Sequence, residues 1–489
     1  MIVLLNAWST PSPKKPMPMA LLALGSMLEG EFDYTIVDGN ADPEPVQTIA
    51  ALHARTPLTA IAVTVMPGPQ LRASITACRE LKRIMPGVPI IWGGYFPSQH
   101  AEACLSEGTV DVCVIGQGEQ TMRELARALT RGGSLASIAG LAIRENGGVV
   151  KTAPRALTPL DELPDWPYHR VEMERYIHSH YLGRRVGAHH TSFGCPFACR
   201  FCAVVAMSNR RWVAQSPERV LRVVEHLRLH YRADAMQFYD MDFFISEPRT
   251  LEIARRMRPL GMTWWALGRV DELMRYRTST WEEMRASGLK MVFCGAESGS
   301  TEMLERMNKG GTASAEATLE LAARMKAHGV VPEFSFVVGN PPEPEADLDV
   351  TLTSIRKIKQ INPAAEIILY VYTPVPQPGG MDDSAQAQGF HFPTTLDEWA
   401  GDRWQTFALR RDPRTPWLQG DIRRRVRDFE SVLNAYYPTV TDLRLTPVRR
   451  RLLRTLSAWR YRLGFYTRPL ELHLLQRAFH YQRPETTGF

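Results

Sequence analysis

Residues 190–202 read His-Thr-Ser-Phe-Gly-Cys-Pro-Phe-Ala-Cys-Arg-Phe-Cys, a candidate strand that runs directly into three closely spaced cysteines. Cys195, Cys199 and Cys202 follow the spacing C-x3-C-x2-C. Three thiolates on one short loop can bind three irons of a cubane iron–sulfur cluster and leave the fourth iron open to another ligand. The segment therefore predicts an open iron–sulfur site, with these cysteines as metal ligands and catalytic residues.

A closed zinc site is the alternative for this loop. Such a site normally has four protein ligands, so His189 or His190 would have to complete it. The two histidines are interpreted instead as strand residues on opposite faces of a sheet. The other four cysteines lie among apolar neighbours and are predicted to be buried small side chains: Cys78, Cys104, Cys113 and Cys294.

Alternating strands and helices surround the cysteine loop, between about residues 188 and 375. The strand candidates are apolar runs separated by helical segments: 190–193, 235–239, 263–267, 291–294, 332–338 and 366–372. At least six such units predict a full or partial TIM-type barrel. Functional residues of a barrel lie at the carboxyl ends of its strands, and the cysteine loop follows the first candidate.

Another strand-and-helix series precedes this one. Its candidate strands are apolar runs at 2–5, 34–37, 58–65, 88–92 and 110–115. Strands that alternate with helices predict a doubly wound parallel sheet, in which ligands bind beyond the carboxyl ends of the strands. Glycines lie at those ends. Thr121 replaces the third glycine of a G-x-G-x-x-G motif after Gly116 and Gly118, so a dinucleotide is not favoured.

The expected architecture is α/β with four parts. They are a Rossmann-like sheet domain at 1–135, a connector with a small hairpin at 136–183, the barrel at 184–385 and a helical, basic C-terminal region at 386–489. Hydrophobic residues make up 44% and charged residues 22% of the chain, as in ordinary globular proteins. Neither a leader sequence nor an uninterrupted apolar run of membrane-spanning length is visible, so a cytoplasmic location is expected.

The cysteine motif resembles the C-x3-C-x-aromatic-C signature of the radical S-adenosylmethionine (SAM) superfamily. The resemblance implies a 4Fe–4S cluster whose open iron binds the amine and carboxylate of SAM. It also implies reductive cleavage of SAM to a 5′-deoxyadenosyl radical, which abstracts hydrogen from an unactivated carbon. A reductant such as flavodoxin or ferredoxin is then needed. Phe201, the aromatic residue of the motif, is expected to pack against the nucleobase of SAM.

Later segments continue the resemblance in the same order. Residues 295–300, Gly-Ala-Glu-Ser-Gly-Ser, resemble a G-x-E-S-G-S segment that would place Glu297 near SAM, and Met-Asn-Lys-Gly at 307–310 extends the match. Asp240 follows the second barrel strand and either binds ribose hydroxyls or holds a loop. Arg269 follows the third and either binds a carboxylate or forms a structural ion pair.

The first domain resembles that of the cobalamin (B12)-binding-domain subgroup of the superfamily. Residues 93–98 resemble its G-G-x-x-P-S/T turn, and residues 116–119 resemble its G-x-G-E turn. The resemblance implies a cobalamin site that includes Gly93, Gly94, Ser98, Gly116, Gly118 and Glu119. The chain has no D-x-H-x-x-G motif, and Phe96 stands where relatives often carry His, so no histidine ligand to cobalt is expected from these motifs. The alternative is a sheet domain that has lost its cofactor.

Three reactions remain open for such an enzyme. Methylation of an unactivated carbon in a small-molecule or lipid-like substrate is expected, with methylcobalamin as methyl donor. Radical oxidative cyclisation or rearrangement, as in the porphyrin-ester cyclase relatives, is the second. Modification of RNA or protein is the third, and it would require a substrate-binding module that is not evident.

Basic residues concentrate in the C-terminal region, in arginine runs at 423–425 and 449–451, although the net charge of the chain is only +6. Aromatic and apolar residues are interleaved with the second run. The segment is interpreted either as a solvated face of helices that close the barrel or as an amphipathic surface that contacts a membrane or a hydrophobic substrate. Nucleic-acid binding is not expected, because no RNA-binding module is visible.

Overall fold

The structure is a computed structural model that describes residues 1–309, 313–377, 379–408, 417–418, 420–443 and 445–479. The elements of the N-terminal part are β1 Ile2–Asn6, α1 Met19–Ser26, β2 Tyr34–Asp38, α2 Pro45–Arg55, β3 Ala60–Thr64, α3 Pro69–Ile84, β4 Ile90–Gly93, α4 Tyr95–Gln99, α5 Ala101–Leu105, β5 Val112–Val114, α6 Glu119–Arg131, β6 Leu141–Glu145 and β7 Gly148–Lys151. They form one sheet in the order β2-β1-β3-β4-β5-β6-β7. Strands β1 to β5 are parallel.

The parallel strands of this sheet are apolar on both faces because helices cover both faces. All five residues of β1 are buried. Leu71 and Ile75 of α3 pack on one face, and Leu21 of α1 and Leu125 of α6 pack on the other. Near-continuous apolar runs are the pattern of a parallel sheet between two helix layers. The predicted doubly wound domain is confirmed.

A hairpin extends this sheet beyond the predicted domain limit. Strands β6 and β7 join through Asn146 and Gly147, both at positive φ, as a two-residue hairpin turn requires. Strand β6 pairs antiparallel with β5. The limit expected at residue 135 therefore cuts through one hydrogen-bonded sheet, and the hairpin assigned to the connector belongs to the first domain.

The middle of the chain is a partial barrel. Its elements are β8 Val186–His189, β9 Ser192–Gly194, α7 Val204–Ser208, β10 Trp212–Ala214, α8 Pro217–Tyr231, β11 Ala235–Phe238, α9 Glu247–Met257, β12 Thr263–Arg269, α10 Val270–Arg275, α11 Thr278–Ala286, β13 Leu289–Glu297, α12 Thr301–Arg306, α13 Ala315–Ala327, β14 Val331–Val338, α14 Pro344–Ile361 and β15 Glu366–Val371. Six of these strands pair in parallel in the order β15-β14-β13-β12-β11-β8. Because β8 and β15 lie at opposite edges of this described sheet, the barrel is open.

The first barrel strand lies ahead of the predicted one. Strand β8 ends at His189, and residues 192–194 instead form β9, which pairs antiparallel with β10 outside the barrel sheet. His189 is tolerated inside the strand because its ring nitrogens contact the Tyr168 hydroxyl at 2.9 Å and the Gln215 side-chain oxygen at 3.1 Å. The strands were predicted from apolar runs, and a histidine does not fit such a run. The prediction of 190–193 as the first barrel strand is therefore wrong.

The C-terminal part is helical, as predicted. Its helices are α15 Asp382–Ala387, α16 Leu396–Ala400, α17 Asp402–Ala408, α18 Gly420–Tyr436, α19 Pro447–Leu463 and α20 Leu470–Phe479. Helix α16 packs on α3 of the first domain, where Asp397 forms an ion pair with Arg79. Thr441, between α18 and α19, donates hydrogen bonds to Glu366 at the edge strand β15. Among the described helices, none is both long and apolar enough to cross a bilayer.

Candidate active site

The three cysteines lie on the loop between β9 and α7. Gly194 precedes the first cysteine at φ +82°, and a side chain there would collide with the carbonyl oxygen of Arg211 on the way into β10. The β9–β10 ribbon therefore requires glycine at this point. The end of β9 in this ribbon fixes the position at which the cysteine loop begins.

Later segments of the barrel hold this loop in place. The Arg200 amide donates to the Met307 carbonyl at 2.9 Å, and the Asn308 side chain donates to the Ala198 carbonyl at 2.9 Å. The Gln377 side chain donates to the Cys199 carbonyl at 3.1 Å. The motif at 307–310 thus has a structural role beside the cysteines. Its last residue, Gly310, lies outside the described residues.

His189, one of the two histidines that could complete a zinc site, makes other contacts. Both of its ring nitrogens are occupied by Tyr168 and Gln215, as described above. Burial raises the pKa of Cys195 to about 12 and that of Cys202 to about 11. A bound cationic group would therefore have to stabilise these thiolates.

Arg269, at the end of β12, is anchored on the cysteine loop. Its Nη1 donates to the sulfur of Cys199 at 3.3 Å, and its guanidinium lies 3.7 Å from the ring centre of Phe197. Its Nε and Nη2 donate to Asp271 at 3.0 and 2.9 Å. Of the two predicted roles, the geometry favours the structural ion pair, and direct contact with a cofactor stays a prediction.

Glu297 and Lys309 form a buried ion pair next to the cysteines. Nζ of Lys309 is 2.5 Å from Oε1 of Glu297. Burial alone would lower the pKa of Lys309, but the Glu297 carboxylate raises it above its ordinary value. Lys309 also lies 5.8 Å from the ring centre of the half-buried Phe201. The structure thus brings the predicted residues Glu297 and Phe201 together around an ammonium group that the motif reading did not single out as a site residue.

The two acids after β11 have different surroundings. The carboxylate of Asp240 accepts hydrogen bonds from the amide and hydroxyl of Thr191, which favours the loop-holding role of the two predicted for it. Asp242 is fully buried, and its Oδ2 has no hydrogen-bond partner in the described structure. Burial raises the pKa of Asp242 to about 7. A buried carboxylate oxygen without a partner, beside the cysteine loop, indicates a position where a polar group of a bound ligand is accommodated.

The two glycine turns of the first domain meet at the carboxyl edge of its sheet. Ser98 connects them, because its hydroxyl donates to the Gly94 carbonyl at 2.6 Å and accepts from the Gly116 amide at 3.1 Å. Gly93 ends β4, and both Gly94 and Gly116 have positive φ. Four of the predicted site residues therefore form one bonded cradle with little side-chain bulk.

The remaining predicted residues of this domain lie at the start of α6. Gly118 is its N-cap and Glu119 its first residue. Burial raises the pKa of Glu119 above its ordinary value, with backbone amides of the helix start opposing the shift. Glu119 is half-buried at the edge of the sheet where ligands bind.

Tyr95 and Phe96, the first two residues of α4, have side chains in different surroundings. Phe96 is completely buried and packs on His100 and Trp399, with ring centres 4.9 and 5.0 Å apart. Its side chain is therefore part of the core that α16 covers. Burial, and then the nearby Cys202 sulfur, raise the pKa of Tyr95. Sequence reasoning missed Tyr95, although its place directly after Gly94 put it at the edge where ligands bind.

The glycine cradle and the cysteine loop face each other. Helix α4, which carries Tyr95, packs against α7, which follows the cysteines. A Cβ at Gly116 would be 3.3 Å from the carbonyl oxygen of Met207 in α7. Two sites that sequence analysis assigned to separate domains are therefore direct neighbours in the fold.

Apolar side chains of the barrel strands pack inside the barrel. Trp265, Met291 and Val331 form a buried apolar cluster separate from the core beneath the helices. Leu267 and Phe293, one row nearer the carboxyl ends of the same strands, are only half-buried. Burial therefore decreases from the Trp265 row to the Leu267 row, toward the carboxyl ends of the strands.

The cysteine loop of the barrel and the doubly wound domain packed against it together form the two-part arrangement that the cysteine and glycine motifs predicted. Comparison with known families agrees. The model of the B12 binding domain matches residues 12–126, and that of the radical SAM superfamily matches residues 190–355. The chain belongs to the radical SAM superfamily, in the group that carries an N-terminal B12-binding domain.

Individual relatives support the same assignment. The uncharacterized methyltransferase PH0819 of Pyrococcus horikoshii is 30% identical over 345 residues, 70% of this chain and 73% of the relative. The anaerobic magnesium-protoporphyrin IX monomethyl ester cyclase of Synechocystis is 22% identical over 371 residues, 73% and 71% of the two chains. The structure of the radical SAM methyltransferase TsrM from Kitasatospora setae matches with a TM-score of 0.62 at 19% identity, covering 75% of this chain and 71% of that one.

Proposed function

We propose that this chain is a cobalamin-dependent radical SAM methyltransferase that methylates an unactivated carbon of a small-molecule or lipid-like substrate. One observation carries the proposal: the glycine cradle of the first domain lies against the segment that follows the cysteine loop of the barrel, with a Cβ at Gly116 only 3.3 Å from the Met207 carbonyl oxygen. Methyl transfer between two cofactors and a substrate needs such proximity. PH0819 and TsrM, both named as methyltransferases, support the reaction class.

The residues fit the cofactors that this activity requires. When bound, a 4Fe–4S cluster at Cys195, Cys199 and Cys202 supplies the electron for SAM cleavage, and cobalamin at the glycine cradle supplies the methyl group. The TsrM structure contains both groups, which supports their assignment here. An external electron donor such as flavodoxin or ferredoxin is part of the proposal.

Protein side chains position these groups and exclude water. Lys309 offers a buried ammonium group beside the cysteines, held by Glu297, and Arg269 neutralises charge at Cys199. Asp242 Oδ2 is available to accept a hydrogen bond from bound SAM. Phe201 presents a half-buried ring beside Lys309.

The test uses anaerobically reconstituted full-length protein supplied with iron, sulfide and hydroxocobalamin. Wild type should hold about four irons and one corrinoid per chain and form 5′-deoxyadenosine when dithionite and SAM are added. Replacing any loop cysteine with alanine should remove the cluster and SAM cleavage, whereas Cys113→Ala, a buried cysteine of β5, should retain both. Zinc in place of iron, or cluster retention in all three loop variants, would overturn the assignment.

Oxidative cyclisation is the second candidate, because the Synechocystis cyclase aligns over 73% of this chain. The two reactions differ in what happens to the methyl group of SAM. With methyl-labelled SAM, a methyltransferase of this kind transfers label to its corrinoid, whereas a cyclase forms 5′-deoxyadenosine without labelling it. Label in the corrinoid selects methylation.

A further inference from the structure

Helix α19 carries an exposed apolar stripe. Its residues recur at helical spacing and are 76, 43, 40, 49 and 77% exposed in chain order: Val448, Leu452, Leu456, Trp459 and Leu463. Steps of four, four, three and four residues place them on one side of the helix. We call them the α19 stripe. Contiguous exposed apolar surface of this kind marks an interaction site.

The stripe is not the side on which α19 packs. Leu453, Ser457 and Tyr461 are buried on the other side, and the ring of Tyr461 stacks on Tyr436 of α18 at 4.5 Å between centres. The helix therefore has one apolar side for its own protein and a second apolar side that its described neighbours leave exposed.

Arginines border the stripe. Helix α19 contains six arginines and no acidic residue. Arg450 and Arg460 bond to neighbouring carbonyls or to Glu471 and have structural roles. Arg451 and Arg462 are exposed, and no described residue pairs with either. The surface thus combines aliphatic side chains with uncompensated positive charge.

The aromatic end of the stripe has its own support. Trp459 stacks on Phe465 with 5.7 Å between ring centres, and Phe465 is itself 48% exposed. Tryptophan is enriched at the level of lipid headgroups, where a ring can be apolar on one side and hydrated on the other. Two stacked, exposed rings beside arginines suit that interface.

We propose that α19 docks on an anionic lipid bilayer, with the stripe in the acyl boundary and Arg451 and Arg462 at the headgroups. Amphipathic helices with arginine on the polar side and Leu or Trp on the other lie in such interfaces. A second copy of the chain fits less well, because a symmetric contact through this side would bring like-charged arginines together. Nucleic acid fits the arginines but not the aliphatic centre.

The proposal goes beyond the proposed reaction and does not depend on it. The stripe lies on a C-terminal helix, apart from the cysteine loop and the glycine cradle. Membrane docking and cofactor chemistry can therefore fail independently.

Co-sedimentation of the full-length protein with vesicles tests the docking. Wild type should bind equimolar phosphatidylglycerol–phosphatidylcholine vesicles more tightly than phosphatidylcholine vesicles, and added salt should weaken this binding. Arg451→Ala with Arg462→Ala should lower the partition about thirtyfold, since each arginine near an anionic surface contributes about 1 kcal/mol. Leu452→Glu with Leu456→Glu should lower it at least about tenfold.

Leu229→Glu is the matched control, because Leu229 is a 69% exposed leucine on α8. It should bind vesicles as wild type does. Circular dichroism and SAM cleavage of each variant separate loss of docking from loss of folding. Equal binding to both vesicle types, or stripe variants that bind normally, would overturn the proposal. So would a wild-type dimer that the stripe variants dissolve, or retention of RNA but not vesicles.

Discussion

Acidic side chains inside the barrel are held in contrasting ways. Glu297 is neutralised by Lys309, whose Nζ lies 2.5 Å away. Among the described residues, Glu333 has no such cation: its Oε2 accepts a hydrogen bond from Trp265 at 3.2 Å, and its partner across the sheet is a second acid, Glu366. Burial, and then the Glu366 carboxylate, raise the pKa of Glu333 to about 8. The folded barrel therefore stores a proton at Glu333 that the unfolded chain releases at lower pH.

This residue makes stability depend on pH. Between the ordinary pKa of 4.5 and the folded value of about 8, the native state binds more protons than the unfolded state, so wild type loses stability as pH rises through this range. Each unit of pKa difference is about 1.4 kcal/mol. The thermal unfolding midpoint of Glu333→Gln should rise relative to that of wild type as pH increases from 4.5 to 8. Glu305→Gln, which changes an exposed residue, is the control and should show the same pH dependence of the unfolding midpoint as wild type. The same pH dependence in wild type and both variants would contradict the prediction.

For single residues, the sequence predicted the type of side chain at the site but not its contacts. The cysteine spacing predicted three side chains on one loop, which a local motif can specify. Whether Arg269 binds a ligand or an ion-pair partner was open, because its partners are Asp271 and the sulfur of Cys199, 70 positions earlier in the chain. The orphaned oxygen of Asp242 is likewise a product of packing. Chemical type can be predicted from a motif, whereas partners need the fold.

At the scale of elements, the β9–β10 ribbon decides where the cysteines stand. Sequence analysis located the other five barrel strands because each contains an apolar run. It missed the first, since β8 reads Val-Gly-Ala-His and has a glycine inside and a buried histidine at its end. Short strands with polar residues that find partners elsewhere in the fold leave little local pattern.

The ribbon gives a prediction about cluster assembly. Gly194→Ala should misplace the cysteine loop, because φ is +82° and the new Cβ would meet the backbone of Arg211. Iron per chain after reconstitution should fall at least severalfold. Gly261→Ala is the matched control, since that residue also has positive φ, at +63°, but nothing within 4 Å of its Cβ. Equal iron loss in both variants would mean that strain alone, and not the ribbon contact, is responsible.

At the scale of the whole molecule, the glycine cradle lies against the segment that follows the cysteine loop, and Gly116 is at this contact. The orientation of the two domains could not be predicted from either motif, because it rests on contacts between distant segments. Helix α16, near the C-terminus, packs on α3 and buries Trp399 against Phe96. The C-terminal region therefore helps fix the first domain, a role that its arginine-rich composition did not indicate.

Widening the contact between the glycine cradle and the cysteine loop should impair methyl transfer to the corrinoid without impairing SAM cleavage. Gly116→Ala adds a Cβ 3.3 Å from the Met207 carbonyl at a residue with φ +76°, whereas Gly132→Ala adds one at φ +74° with nothing within 4 Å. Backbone strain is matched, so the difference between the variants reports the interdomain contact. We expect Gly116→Ala to keep its iron and to form 5′-deoxyadenosine, because the cysteine loop is unchanged. Transfer of label from methyl-labelled SAM to the corrinoid should fall at least about tenfold relative to Gly132→Ala, as small misplacements of reacting groups cost large factors in rate. If both variants transfer label equally well, the facing loops do not set the distance over which the methyl group moves.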